Sequence, residues 1–382
     1  MTRASKPGAT VPVLTVSSVD PVLRDIADAA LLCELPGAVV VRHDFLPGAV
    51  PGERLLRRVV YGRAGVREES VSAVAHACLS CALREDILPT LRRLAAEHPA
   101  PDAVILALPV GSEPLPVVRA LRVDLADGPR SGLRPGAALC VLEPRRLEHD
   151  LFGEDLLDER GLAFRADDRR SVGEVLARQL AAADVVLTEE RPDARAARLL
   201  GHLTAGGART STLGETFPAL LLDASTSTVA ARRPDVVLPE PTGCEPGDGV
   251  WTLDLQSWRP LHPGRLRQRL GLLAGGRTTG RGLFWLPGRP TTAVAWDGAG
   301  GQLSIGPVGT WEVGAAGTDL PVVPGRRASR LVITGVDGDP AAVRACFDEC
   351  LVTEAELARG LPWWLGHEDG LGEWLGQQPG AA

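Results

Sequence analysis

From residue 11 onward, short apolar runs alternate with longer stretches of helical spacing. The runs at 11–16, 38–42, 103–108, 137–142 and 185–187 are rich in Val, Ile, Leu and Ala and read as strands. Between them, 21–33, 83–98, 116–123, 172–182 and 194–203 fit helices. Strands alternating with helices predict a mostly parallel sheet covered by helices, an α/β first domain. One further strand, 55–61, has no helix separating it from its neighbours and predicts a hairpin excursion.

The pattern changes after residue 222. Residues 223–249 are rich in Pro, Gly and Asp and read as a linker. Beyond it, strands at 251–258, 283–286, 293–296, 303–305 and 331–334 outnumber helices at 264–273 and 341–351. Many strands and few helices predict an antiparallel α+β sheet. The organisation is therefore a first domain at 1–222, a linker at 223–249, a second domain at 250–357 and a tail at 358–382. Adjacent Trp363 and Trp364 are expected to fold back onto a domain, since two exposed indoles would be costly, and 377–382 are expected to be disordered. Trp258, Trp285, Trp296 and Trp311 are expected to pack on sheets.

With 382 residues, 45% hydrophobic, the chain is long enough for two buried cores. A net charge of −7 gives no general nucleic-acid signature. Seven cysteines, an odd number, and the lack of a signal-like or membrane-length apolar run predict a soluble protein of a reducing cytoplasm. Lys6 is the only lysine, beside forty arginines. It lies ahead of the first strand, so neither a P-loop lysine nor a Schiff-base lysine is available.

The chemistry concentrates at His76-Ala77-Cys78-Leu79-Ser80-Cys81. Two thiols three residues apart can face one ion, and Zn²⁺ takes sulfur and nitrogen ligands at about 2.0–2.3 Å. The same spacing serves redox dithiols and structural cysteines, so three readings stand, with metal first. The metal set is Cys78, Cys81 and His76, with His43 and the Glu68-Glu69 pair as weaker alternatives. Cys346 and Cys350, four apart on a predicted helix, and Cys33 and Cys140, in apolar runs, read as packing residues; Cys244, in the linker, reads as an exposed thiol.

The chain resembles the CobW-type GTPases and metallochaperones over nearly its whole length. Ala77-Cys78-Leu79-Ser80-Cys81-Ala82-Leu83-Arg84-Glu85-Asp86-Ile87 is similar to the family's GCLCCxLRxDL. Arg259-Pro260-Leu261-His262-Pro263-Gly264-Arg265-Leu266 is similar to its RPFHPxRL, and 281–286, 331–335 and 350–353 follow in the family's order. The resemblance implies a P-loop-NTPase-like sheet followed by the CobW C-terminal domain, a zinc cofactor, and a protein partner such as a ribosome or a zinc-requiring client, without a membrane.

The departures fall on the nucleotide motifs. The P-loop position reads Val16-Ser17-Ser18-Val19-Asp20-Pro21, the acidic ExxG falls on Ala107-Leu108-Pro109-Val110 before Glu113-Pro114, and the guanine-reading NKxD falls on Thr188-Glu189-Glu190-Arg191. The family's middle cysteine is Ser80. The expectation is a degenerate member that binds Zn²⁺ without ordinary GTP hydrolysis, GTP and Mg²⁺ being doubtful cofactors; the alternative is a GTP-dependent metallochaperone with a non-standard nucleotide site.

Overall fold

The computed structural model describes residues 10–47, 54–74, 76–126, 132–204, 208–215, 218–222, 245–311, 322–323 and 325–378. They fall into two compact units, one drawn mainly from residues 10–222 and one from 245–378 with the short segments 151–154 and 197–203. Most of the linker, 223–244, lies outside the described residues, and Cys244 with it.

The first part of the chain, in which α5 and α7 each give residues to the second unit, runs β1 (Val11–Ser18), α1 (Pro21–Glu34), β2 (Val39–Pro47), β3 (Arg54–Gly62), β4 (Gly65–Ala73), α2 (Leu79–Ala82), a π turn (Leu83–Ile87), α3 (Leu88–Ala95), β5 (Val104–Ala107), α4 (Leu115–Ala126), β6 (Leu133–Leu142), α5 (Leu147–Phe152), α6 (Val172–Ala182), β7 (Val185–Thr188), α7 (Ala194–Leu203), β8 (Arg209–Thr212) and α8 (Pro218–Leu222). Its sheet has the order β4-β3-β2-β5-β1-β6-β7-β8. The strands from β2 to β8 in that order pair in parallel, and β3 and β4 add an antiparallel hairpin on one edge.

Period-two alternation sends neighbouring side chains of one strand to opposite cores. Val11 and Val13 of β1 join Leu79, Leu83, Ile87 and Leu91 on one face, while Leu14 and Val16 join Leu23, Ala27 and Leu31 of α1 on the other. Burial on both faces is why these strands are apolar throughout.

The second unit runs β9 (Val250–Ser257), α9 (Pro263–Leu273), β10 (Thr278–Leu286), β11 (Arg289–Ala299), β12 (Gln302–Thr310), β13 (Ser329–Val336), α10 (Pro340–Cys350), α11 (Glu354–Leu357), α12 (Leu361–Leu365) and α13 (Gly372–Leu375). All its strand pairs are antiparallel, in the order β12-β11-β10-β13-β9. Trp251, Phe284, Trp296, Leu331 and Ile333 meet Leu266, Val343 and Phe347 in one core. Gly335 leaves the space for this: a Cβ there would stand 2.2 Å from the Trp251 ring.

The tail closes onto this unit. Leu371 and Leu375 enter its core, and Arg289 holds Asp369 at 2.6 Å while its other nitrogens donate to the Leu375 and Gly376 carbonyls. Trp364 is buried and Trp363 is partly exposed. Gln378, inside the stretch expected to be disordered, is buried; it donates to the Trp364 carbonyl and accepts from the Asp369 amide. Its amide group offers two donors and an acceptor to backbone that the tail's turns leave unpaired, which polarity alone does not announce. Trp285 and Trp296 pack on strands as expected, but Trp258 lies one residue past β9 and is 64% exposed.

Candidate metal centre

The backbone turns tightly at the CxxC. Cys78 N–H donates to the His76 carbonyl at 2.8 Å, and the extended Cys78 then caps α2, its Sγ accepting from the Cys81 amide at 3.4 Å. A cysteine capping a helix explains why the helix begins at Leu79, before the first residue that its spacing marks. The Cys81 Sγ lies 3.8 Å from His76 Nδ1. Cys78 is half-buried, Cys81 buried, and His76 and Ser80 exposed. Among the described residues, no group of three His, Cys, Asp or Glu side chains is placed to hold a metal ion, so the structure does not bring His76, Cys78 and Cys81 together as a three-ligand set. The motif thus offers a close thiol–imidazole pair and a second thiol beside it, open on the His76 side.

The Cys81 thiol is pushed above its ordinary range, first by its hydrogen bond with Cys78, then by burial and the neighbouring sulfur, against a weak pull from Arg84. A redox-active dithiol needs the opposite shift. Arg84 points to solvent and pairs with Glu85 at 3.3 Å. The other acids nearby are in use: Glu69 bonds Arg57 at 2.7 Å, and Glu68 lies against Arg58 and Arg93. His43 is fully buried on β2 with its Nε2 2.7 Å from Asp86 Oδ1. Asp86, from the π turn just after the CxxC, also takes Arg58.

The remaining cysteines divide. Cys140, Cys346 and Cys350 are buried, and burial first of all pushes Cys140 and Cys350 up to about 12. Cys33 is exposed on the last turn of α1 rather than packed. Its helix buries Leu23, Ala27 and Leu31, and Cys33 falls on the opposite side of that stripe.

At the nucleotide end of the sheet, only Val19 and Asp20 connect β1 to α1. A phosphate cradle needs free backbone N–H groups at a helix start. Here Pro21 has none, Asp20 Oδ1 accepts from Val22 and Leu23 at 2.8 and 3.0 Å, and the Arg24 amide bonds the Asp20 carbonyl. The protein's own carboxylate thus satisfies the first-turn amides of α1.

The crossing loop closes the crevice further. Leu108 N–H bonds the Val16 carbonyl, and Gly111, in the left-handed region at φ +80°, sends its N–H to Ser18 O at 3.0 Å. Buried Gln179 reaches both Ser18 O and Ser112 O at 3.2 and 2.8 Å. Arg170 and Arg178, the arginines bonded to Glu113 of this loop, also pair with Asp168 and Glu174, respectively. At the NKxD position, Glu190 pairs with Arg145.

Known proteins share both ends of the chain. Residues 250–351 match the cobalamin synthesis protein cobW C-terminal domain. The zinc chaperone Rv0106 of Mycobacterium tuberculosis is 28% identical over 95% of this chain and 93% of its own. A zinc-regulated GTPase metalloprotein activator 1 of Dictyostelium discoideum is 24% identical over 78% and 69%, respectively. The Zn(II)-bound YjiA GTPase of E. coli superposes with a TM-score of 0.35 at 13% identity, covering 90% of this chain and 99% of that one.

Proposed function

For this chain of the CobW type, carrying the CobW C-terminal domain and aligned nearly end to end with a zinc chaperone, we propose zinc trafficking without ordinary GTP hydrolysis. The observation that carries the reading is the pairing of an open Cys78, Cys81 and His76 half-site with a helix start already filled by Asp20. Zn²⁺ is cargo here. Soft thiolates and a neutral imidazole suit it, and a ligand set left open on one side lets a client's own ligands complete the shell and draw the ion away. Binding must displace the proton that the lifted Cys81 thiol retains at neutral pH, so loading is coupled to proton release.

The receiving partner is a protein with unfilled zinc ligands, a ribosome-linked client among them. Supporting this, the site sits at a half-exposed turn rather than in a core. Elemental analysis of anaerobically purified protein beside Cys78→Ser/Cys81→Ser, with calorimetric titration by GTP and Mg²⁺, tests both halves. About one zinc per chain, lost in the variant, together with no heat from millimolar GTP, is the expected result. Equal zinc in both proteins refutes the metal site, and micromolar GTP binding restores the GTP-dependent alternative.

A further inference from the structure

A cavity of about 870 Å³ opens in the second unit where the end of β9 meets the end of β10 and the start of β13. Its walls are two indoles and a row of guanidinium groups. Trp285 is buried with its Nε1 donating to the Trp258 carbonyl at 3.2 Å, while the Trp258 ring stands in solvent as a flat ledge. Arg327 stacks over Trp285, its guanidinium carbon 5.1 Å from the ring centroid, and donates to the Pro290 carbonyl at 3.2 Å. Arg330 is held at 2.9 Å by both oxygens of Asp254, so that carboxylate is spent. Arg326 is exposed, and neither it nor Arg327 makes an ion pair among the described residues.

Stacking of the half-buried Arg327 on Trp285 makes this more than a solvated charge run. A guanidinium seated on an indole is oriented before any ligand arrives, so little rotamer freedom remains to be lost on binding. The wall offers donors and an aromatic ledge, the chemistry of an oxyanion beside an apolar or flat group. β9 is the edge of its sheet, bonded only to β13, and runs into this cavity. An edge strand whose end leads into an anion pocket suits an extended peptide, with a side chain entering the pocket. A nucleic acid is the poorer occupant, because the two guanidinium groups of Arg326 and Arg327 would meet few phosphates of a continuous backbone.

The geometry points to a docking site for an acidic segment of a partner protein, with its carboxylates on Arg326 and Arg327 and an apolar neighbour on Trp258. The site lies in the second unit and the CxxC in the first. The test is fluorescence anisotropy of the full-length protein with a labelled peptide of about ten residues alternating Glu and Val around one Phe, beside the same peptide with Lys for Glu. A labelled oligouridylate of about ten nucleotides serves as the nucleic-acid probe.

Saturable binding of the acidic peptide, weakened about tenfold or more by Arg326→Glu and also by Trp258→Ala, is expected. The Lys peptide gains affinity for the charge-reversed variant. Trp258→Ala removes a ring from solvent and leaves the carbonyl that Trp285 uses, so it reads the site even where charge reversal harms folding. No binding of the acidic peptide, equal binding by wild type and Trp258→Ala, or tighter binding of the oligouridylate overturns the assignment.

Discussion

His43 Nε2 and Asp86 Oδ1 stand 2.7 Å apart in the first unit, joining β2 to the π turn that follows the CxxC. Arg58 completes the triangle, bonding Asp86 and reaching Thr90 Oγ1 at 3.0 Å. The π turn, closed by the Leu88 amide on the Leu83 carbonyl, brings Asp86 to these partners. Burial pushes the Asp86 carboxyl up, but the His43 hydrogen bond and the His43 and Arg58 charges outweigh it, and the net shift is downward.

Asp86→Asn should therefore remove the nearer, half-buried counter-charge of Arg58, leaving Glu68 at 3.4 Å, and destabilise the protein by about 2 kcal/mol. Because the carboxyl is depressed when folded, its contribution is present above the usual value of 3.8 and fades as pH falls below it. Urea unfolding at pH 7 and pH 3 checks both points: the wild type and variant should differ more at the first than at the second.

Asp28 works in the opposite direction. It is fully buried on α1, accepts from the Tyr61 hydroxyl at 2.9 Å, and is lifted to about 7, first of all by burial. A raised carboxyl favours folding fully below 3.8, and that advantage is lost as pH climbs toward about 7. The loss is on the order of 4 kcal/mol at most. Asp28→Asn should melt higher than wild type at pH 8 and show a flatter profile between pH 4 and 7; an unchanged slope would exclude Asp28 as its source.

Asp20 caps α1 and fills its first-turn amides. Asp20→Ala should cost about 1 kcal/mol of stability. It should still give no calorimetric heat with GTP, since Pro21 lacks an amide and the connection spans only Val19 and Asp20. GTP binding gained by this variant would show that the carboxylate alone had kept the site shut.

Zinc affinity should rise by about tenfold per pH unit for each thiol proton displaced. Competition with a chromophoric chelator between pH 6.5 and 8.5 measures the slope. A flat profile would remove Cys81, whose thiol is lifted, from the ligand set.

The helix over Val172–Ala182 and the apolar strands of both units follow the spacing, as does the start of α9, where the His262 imidazole accepts from the Gly264 and Arg265 amides as an N-cap; β4 and β8, whose residues are mostly polar and exposed or half-buried, left no such signal and were missed. The early start of α2 at Leu79, capped by Cys78, was not legible, because cysteine is not a usual capping residue. Nor was Trp258: a tryptophan at the end of a strand pattern carries no mark of which side meets solvent.

Local order along the chain determined the apolar strands, the Asp20-Pro21 start of α1 and the position of the paired thiols, because periodicity and backbone chemistry act over a few residues. Which polar groups meet was decided only in three dimensions. His43 and Asp86 lie 43 positions apart, and Ser18 and Gln179 lie 161 apart. Their pairing depends on strand order and helix packing, where long-range geometry selects among many acids and bases of equal local merit. The same holds for the Trp258 and Arg326 pocket, whose walls come from three strands that are neighbours in the sheet and distant in the sequence.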